Sequence, residues 1–259
     1  MESVYNFNPA ELLAFSLVLL RMIAFVVTMP IIGSVNVPTS AKILFALVMS
    51  FILFPQVGWN KLHVDVESLS IMTLAIKELF IGLTFGFLAR MFFMAITMAG
   101  QIMSVSMGIS SAQLFNPAMG DTSAAMDQFF VTLASLFFFA IQGHHVFIKG
   151  IFDTFQIVPL DQMTISFDAF ASLGGYTQAI TAIALKISAP ILVSILFMNL
   201  AIAVVGRAVP QINILITSMP INVLAGFLVL FVSLPLLIWQ MQDLLNFTAE
   251  ELFTFIKTY

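Results

Sequence analysis

At 259 residues, with 61% hydrophobic residues, only 8% charged ones and a formal charge of −4, the chain has the composition of a membrane protein; an ordinary soluble domain carries roughly 25% charged residues. So few charges cannot solvate a globule of this size, and nine scattered Lys and Arg make no basic patch for a phosphate backbone, which argues against a cytosolic enzyme and against a nucleic-acid binder. With no cysteine present, disulfides, thiolate metal sites and cysteine nucleophiles are excluded, while the compartment is left open.

The first eleven residues hold Glu2 and Glu11 and no Lys or Arg, so the amino terminus does not read as a cleavable signal and is expected to be retained. No lipidation motif is found. Six hydrophobic blocks follow. The first runs from about Leu12 to Met29 and stops at Pro30; the second, after the breaker from Pro30 to Pro38, runs from about Ala41 to Val57. The third, about Leu69 to Met107, would overshoot the roughly 30 Å hydrocarbon core nearly twofold, so it must bend, split or leave the bilayer. Block four spans about Ala125 to Phe155, block five Tyr176 to Val209, and block six Ile212 to Leu245 with Pro235 inside it. Helices are favoured over barrel strands because the apolar runs are continuous rather than alternating.

Arg21, Lys77, Glu78, Arg90, Lys149 and Lys186 fall inside or at the margins of these blocks. Each would cost a few kcal/mol at mid-bilayer, so each should face protein, water or the interface. The positive-inside count does not orient the chain: alternation puts Lys61, Lys149 and Lys257 on one side and Lys42 and Arg207 on the other. Either the rule resolves poorly here, or the helices are buried mainly against other subunits.

Motifs for chemistry are missing. No phosphate-cradling loop, zincin helix or nucleophile elbow occurs, so no enzyme activity, cofactor or metal is expected. His144 and His145 are adjacent, about 100° apart on a helix, and should not share a metal. Glu78 beside Lys77 fits either a proton- or ion-coupling group or a buried ion pair. Gly82 and Gly86 form a G-x-x-x-G pair that permits close helix approach. Met91, Met94, Met98, Met103 and Met107 suit either ordinary packing or a deformable seal. The uncharged segment from Gly108 to Gly120, broken at Pro117, is a poor helix that keeps Leu114, Phe115 and Met119. It reads as a gate or re-entrant loop, or as a surface loop.

The carboxyl-terminal third reads as a helical hairpin: an apolar arm from Pro190, a basic and amide-rich corner Gly206-Arg207-Ala208-Val209-Pro210-Gln211-Ile212-Asn213, then a second arm through Pro220 and Gly226. This corner resembles the pattern of the FliR family, the flagellar members of the type III secretion export-gate proteins. Lys77-Glu78-Leu79-Phe80-Ile81-Gly82 with Gly86, then Ala99-Gly100, Gly108 and Gly143-His144, match the family at similar intervals, so the resemblance covers most of the chain. It departs at Gly206, where Ala is usual, at Gln142, where Asn is usual, and at Asn222, where Lys is common; the last puts in doubt any charge-based contact at that corner.

The resemblance implies an all-α membrane-associated fold of long, bent hairpins that stack with partner subunits into a helical pore assembly. It implies a structural role in a gate with FliP and FliQ homologues, with FlhB and FlhA homologues nearby, at the bacterial inner membrane in the flagellar basal body. Residues 1–170 would be a FliP-like part and 171–259 a FliQ-like hairpin. Leu114, Phe115 and Met119 would plug the pore until an unfolded export substrate displaces them. Glu78, Gly82, Gly86, Arg207, Pro210, Gln211, Asn213 and Pro220 would serve subunit packing. The alternative is a polytopic secondary transporter or channel for a small solute, which predicts sequence repeats and a charged midplane site; no convincing repeat is present.

Overall fold

The computed structural model describes residues 9–57, 68–109, 123–160, 168–209, 211 and 213–257. Among them are seven α-helices and one 3-10 turn: α1 (Pro9–Thr28), α2 (Thr39–Leu53), the turn Phe54–Gln56, α3 (Ser68–Met107), α4 (Ser123–Ala140), α5 (Gly143–Ile157), α6 (Asp168–Ala208) and α7 (Ile214–Lys257). Five of these helices are long and apolar enough to cross a membrane, and the bent pair α4 and α5 makes a sixth candidate span. The expected all-helical membrane fold is what the chain adopts.

The breaker after block one forms a tight corner. Ile31 takes a left-handed φ of 68°, a conformation a β-branched side chain rarely adopts. Any Cβ on Gly33 would run into the Val27 and Met29 carbonyl oxygens, so only glycine fits. Lys42 closes the corner by donating to the Gly33 carbonyl at 3.0 Å. Phe15 of α1 then meets Phe51 and Phe54, with ring centroids 4.8 and 5.6 Å apart.

Helix α3 is continuous over 40 residues, about 60 Å of rise, so block three is not split. Block four is. Gln142, in the left-handed region at φ 57°, ends α4, and α5 leaves at 70°; one apolar stretch thus becomes two helices. The prolines of block six do not break it: α7 runs through Pro220 and Pro235 to Lys257. At those two positions the helix forgoes a backbone hydrogen bond, which neighbours and polar side chains make tolerable in an apolar setting. Helix α6 likewise starts at Asp168 and passes through Gly174 and Gly175, so residue 170 lies within a helix.

The chain divides into two compact units, one of Met1–Met91, Gln142–Gly174 and Phe247–Tyr259, the other of Phe92–Ile141 and Gly175–Asn246. In the first, α1 buries Ala14, Leu17, Val18, Met22 and Phe25, a 3.6-period stripe, and Phe25 reaches Phe85 at 5.7 Å between centroids. In the second, Phe92 and Phe93 close on Phe138 at 5.9 and 5.5 Å. Met91, Met103 and Met107 are buried while Met94 is half exposed, as ordinary helix packing requires. On α6 the buried residues Ile180, Ala184, Ile187, Ile191 and Ile195 form a narrow seam, and α7 answers with Leu230, Leu237, Met241 and Leu244.

Candidate functional site: a buried ion network and an uncovered hairpin

In the first unit, Arg21 is 0% exposed, Glu78 0% and Lys77 1%. Arg21 sits in the middle of α1, and Lys77 and Glu78 are neighbours on α3. The guanidinium grips the Glu78 carboxylate with both Nε and Nη2, the latter donating to Oε1 at 2.9 Å. Such a two-point pair has a geometry lysine cannot reproduce. Arg21 Nη1 donates to the Thr154 hydroxyl at 3.0 Å and Nη2 to the Val158 carbonyl at 3.1 Å. Its Cζ lies 4.0 Å from the centre of the Phe155 ring. Lys77 Nζ pairs with Glu78 Oε1 at 3.0 Å and donates to the carbonyls of Pro159 and Leu160 at 3.0 and 3.2 Å.

Two cations therefore share one carboxylate. The excess positive charge is met by the carbonyls of 158–160, at the end of α5 where the helix dipole is negative. Both Glu78 oxygens are taken, so of its two sequence readings the geometry shows the interhelical ion pair. The network ties α1, α3 and the end of α5 at one point.

Gly82 and Gly86 lie one and two turns further along α3 and let it press against α1 of the same chain. A Cβ on Gly82 would strike the Arg21 carbonyl and sit 2.7 Å from the Ala24 Cβ; one on Gly86 would strike the Thr28 hydroxyl and lie 2.9 Å from the Phe25 carbonyl. Gly150 of α5 does the same beneath Phe85, at 2.6 Å from the ring tip. Arg90, Lys149 and Lys186, by contrast, are exposed. The rings of His144 and His145 lie 4.2 Å apart; rotation about the side-chain bonds brings together two rings whose Cα–Cβ directions diverge.

In the second unit, α6 and α7 turn at the corner that carries the motif. Arg207 occupies the last turn of α6, where a cation meets the helix dipole favourably. Asn213 caps α7, its side-chain oxygen accepting from the Ile216 N–H at 3.4 Å. Arg207, Gln211, Asn213 and Pro220 are all exposed, whereas Gly206 is buried. A Cβ at 206 would meet the Ile214 side chain, which explains glycine where alanine is usual. Asn222 donates to the Asn199 side-chain oxygen at 2.8 Å across the hairpin, so the residue standing in place of the usual Lys fastens the two arms instead of offering a charge. Sequence reading missed both Asn199 and this bond; the paired amides on facing arms are the signal that could have found it. Pro210, Leu114, Phe115 and Met119 lie outside the described residues.

Both arms of the hairpin are sparsely covered by their own chain, as is α2 with its 3-10 turn, 17% buried over 18 residues. Of the most apolar 18-residue stretch of each helix, 67% is buried in α3 but 17% in α6 and 28% in α7. Leu224 is 68% exposed and Val232 82%. Pro220, Val223, Leu224, Phe227, Leu228 and Phe231 line a depression of about 530 Å³ on α7.

Fold and site together define an all-α membrane protein whose buried polar groups hold helices together. The chain belongs to the bacterial export proteins, family 1, whose sequence profile matches residues 12–248. It is similar to the flagellar biosynthetic protein FliR of Bacillus subtilis (strain 168), 32% identical over 256 residues, 97% of this chain and 96% of the relative. The FliR of Caulobacter vibrioides is 34% identical over 220 residues, covering 85% and 87% of the two chains. That of Escherichia coli K12 is 29% identical over 219 residues, covering 85% and 83%. The FliR resemblance read from the motifs is thereby borne out.

Proposed function

We propose that the chain is a structural, non-catalytic subunit of the flagellar type III protein export gate. With FliP and FliQ homologues it lines and closes the pore through which unfolded flagellar proteins leave, in the bacterial inner membrane at the base of the flagellum. The observation that carries this reading is the bare apolar hairpin, α6 and α7, in a member of a family of bacterial export proteins. Arms that bury so little of their apolar surface against their own chain are suited to stack against similar arms of neighbours. Residues 1–170 serve as the FliP-like part and 171–259 as the FliQ-like hairpin. Arg207, Pro210, Gln211, Asn213 and Pro220 meet neighbouring subunits at the corner, while Glu78, Gly82 and Gly86 serve subunit packing through the α1–α3 contact that they hold together. Energy comes from other export components, FlhA and FlhB homologues among them.

Native mass spectrometry of the tagged chain, co-expressed with its FliP and FliQ homologues and purified in mild detergent, tests the reading. One copy of this chain inside a large hetero-oligomer is the expected result; a monomer or homodimer that ignores both partners would sink it. The closing role has its own test. Replacing Leu114, Phe115 and Met119 by glycine should raise ion leakage in cells that express the full gate, because apolar side chains that dewet a constriction are removed. Unchanged leakage would remove the plug assignment.

A further inference from the structure

The hairpin carries a second depression, about 750 Å³ in volume, between α6 and α7. Pro190 and Val193 of α6 and Leu228 and Val232 of α7 form its walls, while Lys186 and Gln240 stand at the end away from the corner. The Asn199–Asn222 bond and the contact of Gly206 with Ile214 fix the register of the antiparallel arms; it sets Lys186 level with Pro235, so Gln240, which lines the same depression, stands about 8 Å further from the corner. The groove is thus polar at one end and apolar along its length.

Three further features give that polarity a meaning. Lys186 is exposed and has no ion-pair partner among the described residues. The Oε1 atom of Gln240 is buried and accepts no hydrogen bond among the described residues, an unmet acceptor that costs free energy unless something donates to it. Finally, Lys186 and Arg207 bracket twenty uncharged residues on α6; at about 1.5 Å per residue these span the roughly 30 Å of a hydrocarbon core. Lys186 then lies at one membrane interface. Trp239, beside Gln240 and 59% exposed, lies about one turn further from the corner, still in the interfacial region where tryptophan is enriched.

We infer that this groove binds one anionic phospholipid of the phosphatidylglycerol type. The phosphate accepts from Lys186 Nζ, and a glycerol hydroxyl donates to Gln240 Oε1. One acyl chain descends along Pro190, Val193, Leu228 and Val232. From Gln240 to Leu228 the wall rises about 18 Å, close to half the bilayer core that an acyl chain crosses. Charge selects the headgroup, because among the described residues Lys186 is the one charged side chain of the lining and no carboxylate shares it. Phosphatidylcholine, with no net charge and no donor for Gln240, fits the apolar walls but not the polar end. The inference stands on the hairpin alone and not on the export-gate reading.

The test uses the full chain in mild detergent, titrated with phosphatidylglycerol or phosphatidylcholine and read by native mass spectrometry. One phosphatidylglycerol per chain should survive detergent stripping, retained about fivefold better than phosphatidylcholine, the effect of one lysine on an anionic lipid. Lys186→Gln should erase that preference, whereas Lys149→Gln, which alters an exposed lysine outside the groove, should keep it. Val193→Trp should block both lipids with the helical circular dichroism intact; should it misfold, the comparison of the two lysine variants still decides. Equal retention of both lipids by the unaltered chain, as a groove built for a protein helix predicts, would overturn the inference. So would a Lys186→Gln chain that keeps the preference.

Discussion

Glu78→Gln is expected to destabilise the chain more than any other single change among the charged residues, lowering its melting temperature in detergent by about 10 °C or more. Removing one partner of a buried ion pair costs about 3–5 kcal/mol, because the remaining charge is left without its counter-ion. Each kcal/mol moves the melting point of a chain this size by about 2–4 °C. Here the remainder is two buried charges, Arg21 and Lys77, facing carbonyl oxygens, the Thr154 hydroxyl and the Phe155 ring, none of which carries a counter-charge. Lys77→Met should cost far less, about 1–2 kcal/mol, since it leaves the balanced, two-point Arg21–Glu78 pair and forfeits the second cation's contact with Glu78 and the bonds to the Pro159 and Leu160 carbonyls. That ordering, acid much worse than base, follows from the two-to-one charge count in the network. Thermal scans of the two variants side by side check it, and a Glu78→Gln chain that melts with the parent would show that the network is not buried as described.

The parts of this arrangement that the sequence made legible are those with a one-dimensional trace. Long apolar runs announce helices, because lipid leaves the backbone few other ways to satisfy its hydrogen bonds. Charges within such runs announce a polar contact, so Arg21, Lys77 and Glu78 stood out before their partners were known. The partners did not, since Thr154 and the carbonyls of 158–160 lie more than seventy residues away in sequence and carry no charge. Proline and glycine were the least faithful guides. Pro220 and Pro235 sit inside α7 without breaking it, and the break in block four falls at Gln142, a residue with no helix-breaking reputation. There Gln142 opens α5 as it closes α4, its carbonyl accepting from the His145 N–H at 2.9 Å. The departures from the family pattern at 206 and 222 make sense only in three dimensions, one as room for Ile214 and the other as an amide clasp to Asn199.

The same bare hairpin supports a prediction that separates protein neighbours from lipid. Leu224→Trp should leave the chain inserted and accumulating, yet weaken its capture of FliP and FliQ homologues by about 5- to 150-fold. Leu224 is 68% exposed and borders the depression on α7. Tryptophan is apolar, so a fluid acyl chain simply moves aside and insertion is not penalised, whereas a packed neighbouring helix cannot. Forcing extra volume into a packed contact costs about 1–3 kcal/mol, and each 1.4 kcal/mol is a tenfold change in affinity, which gives the range stated. A charged replacement would not discriminate, because Asp or Lys at mid-span opposes insertion by about 2.5–3.5 kcal/mol whatever faces it. The measurement is the yield of hetero-oligomer relative to free chain from matched membranes. A Leu224→Trp chain that assembles like the parent would assign this face to lipid, and the stacking contacts would then have to lie elsewhere, with the exposed Arg207, Gln211 and Asn213 of the corner as the next residues to alter.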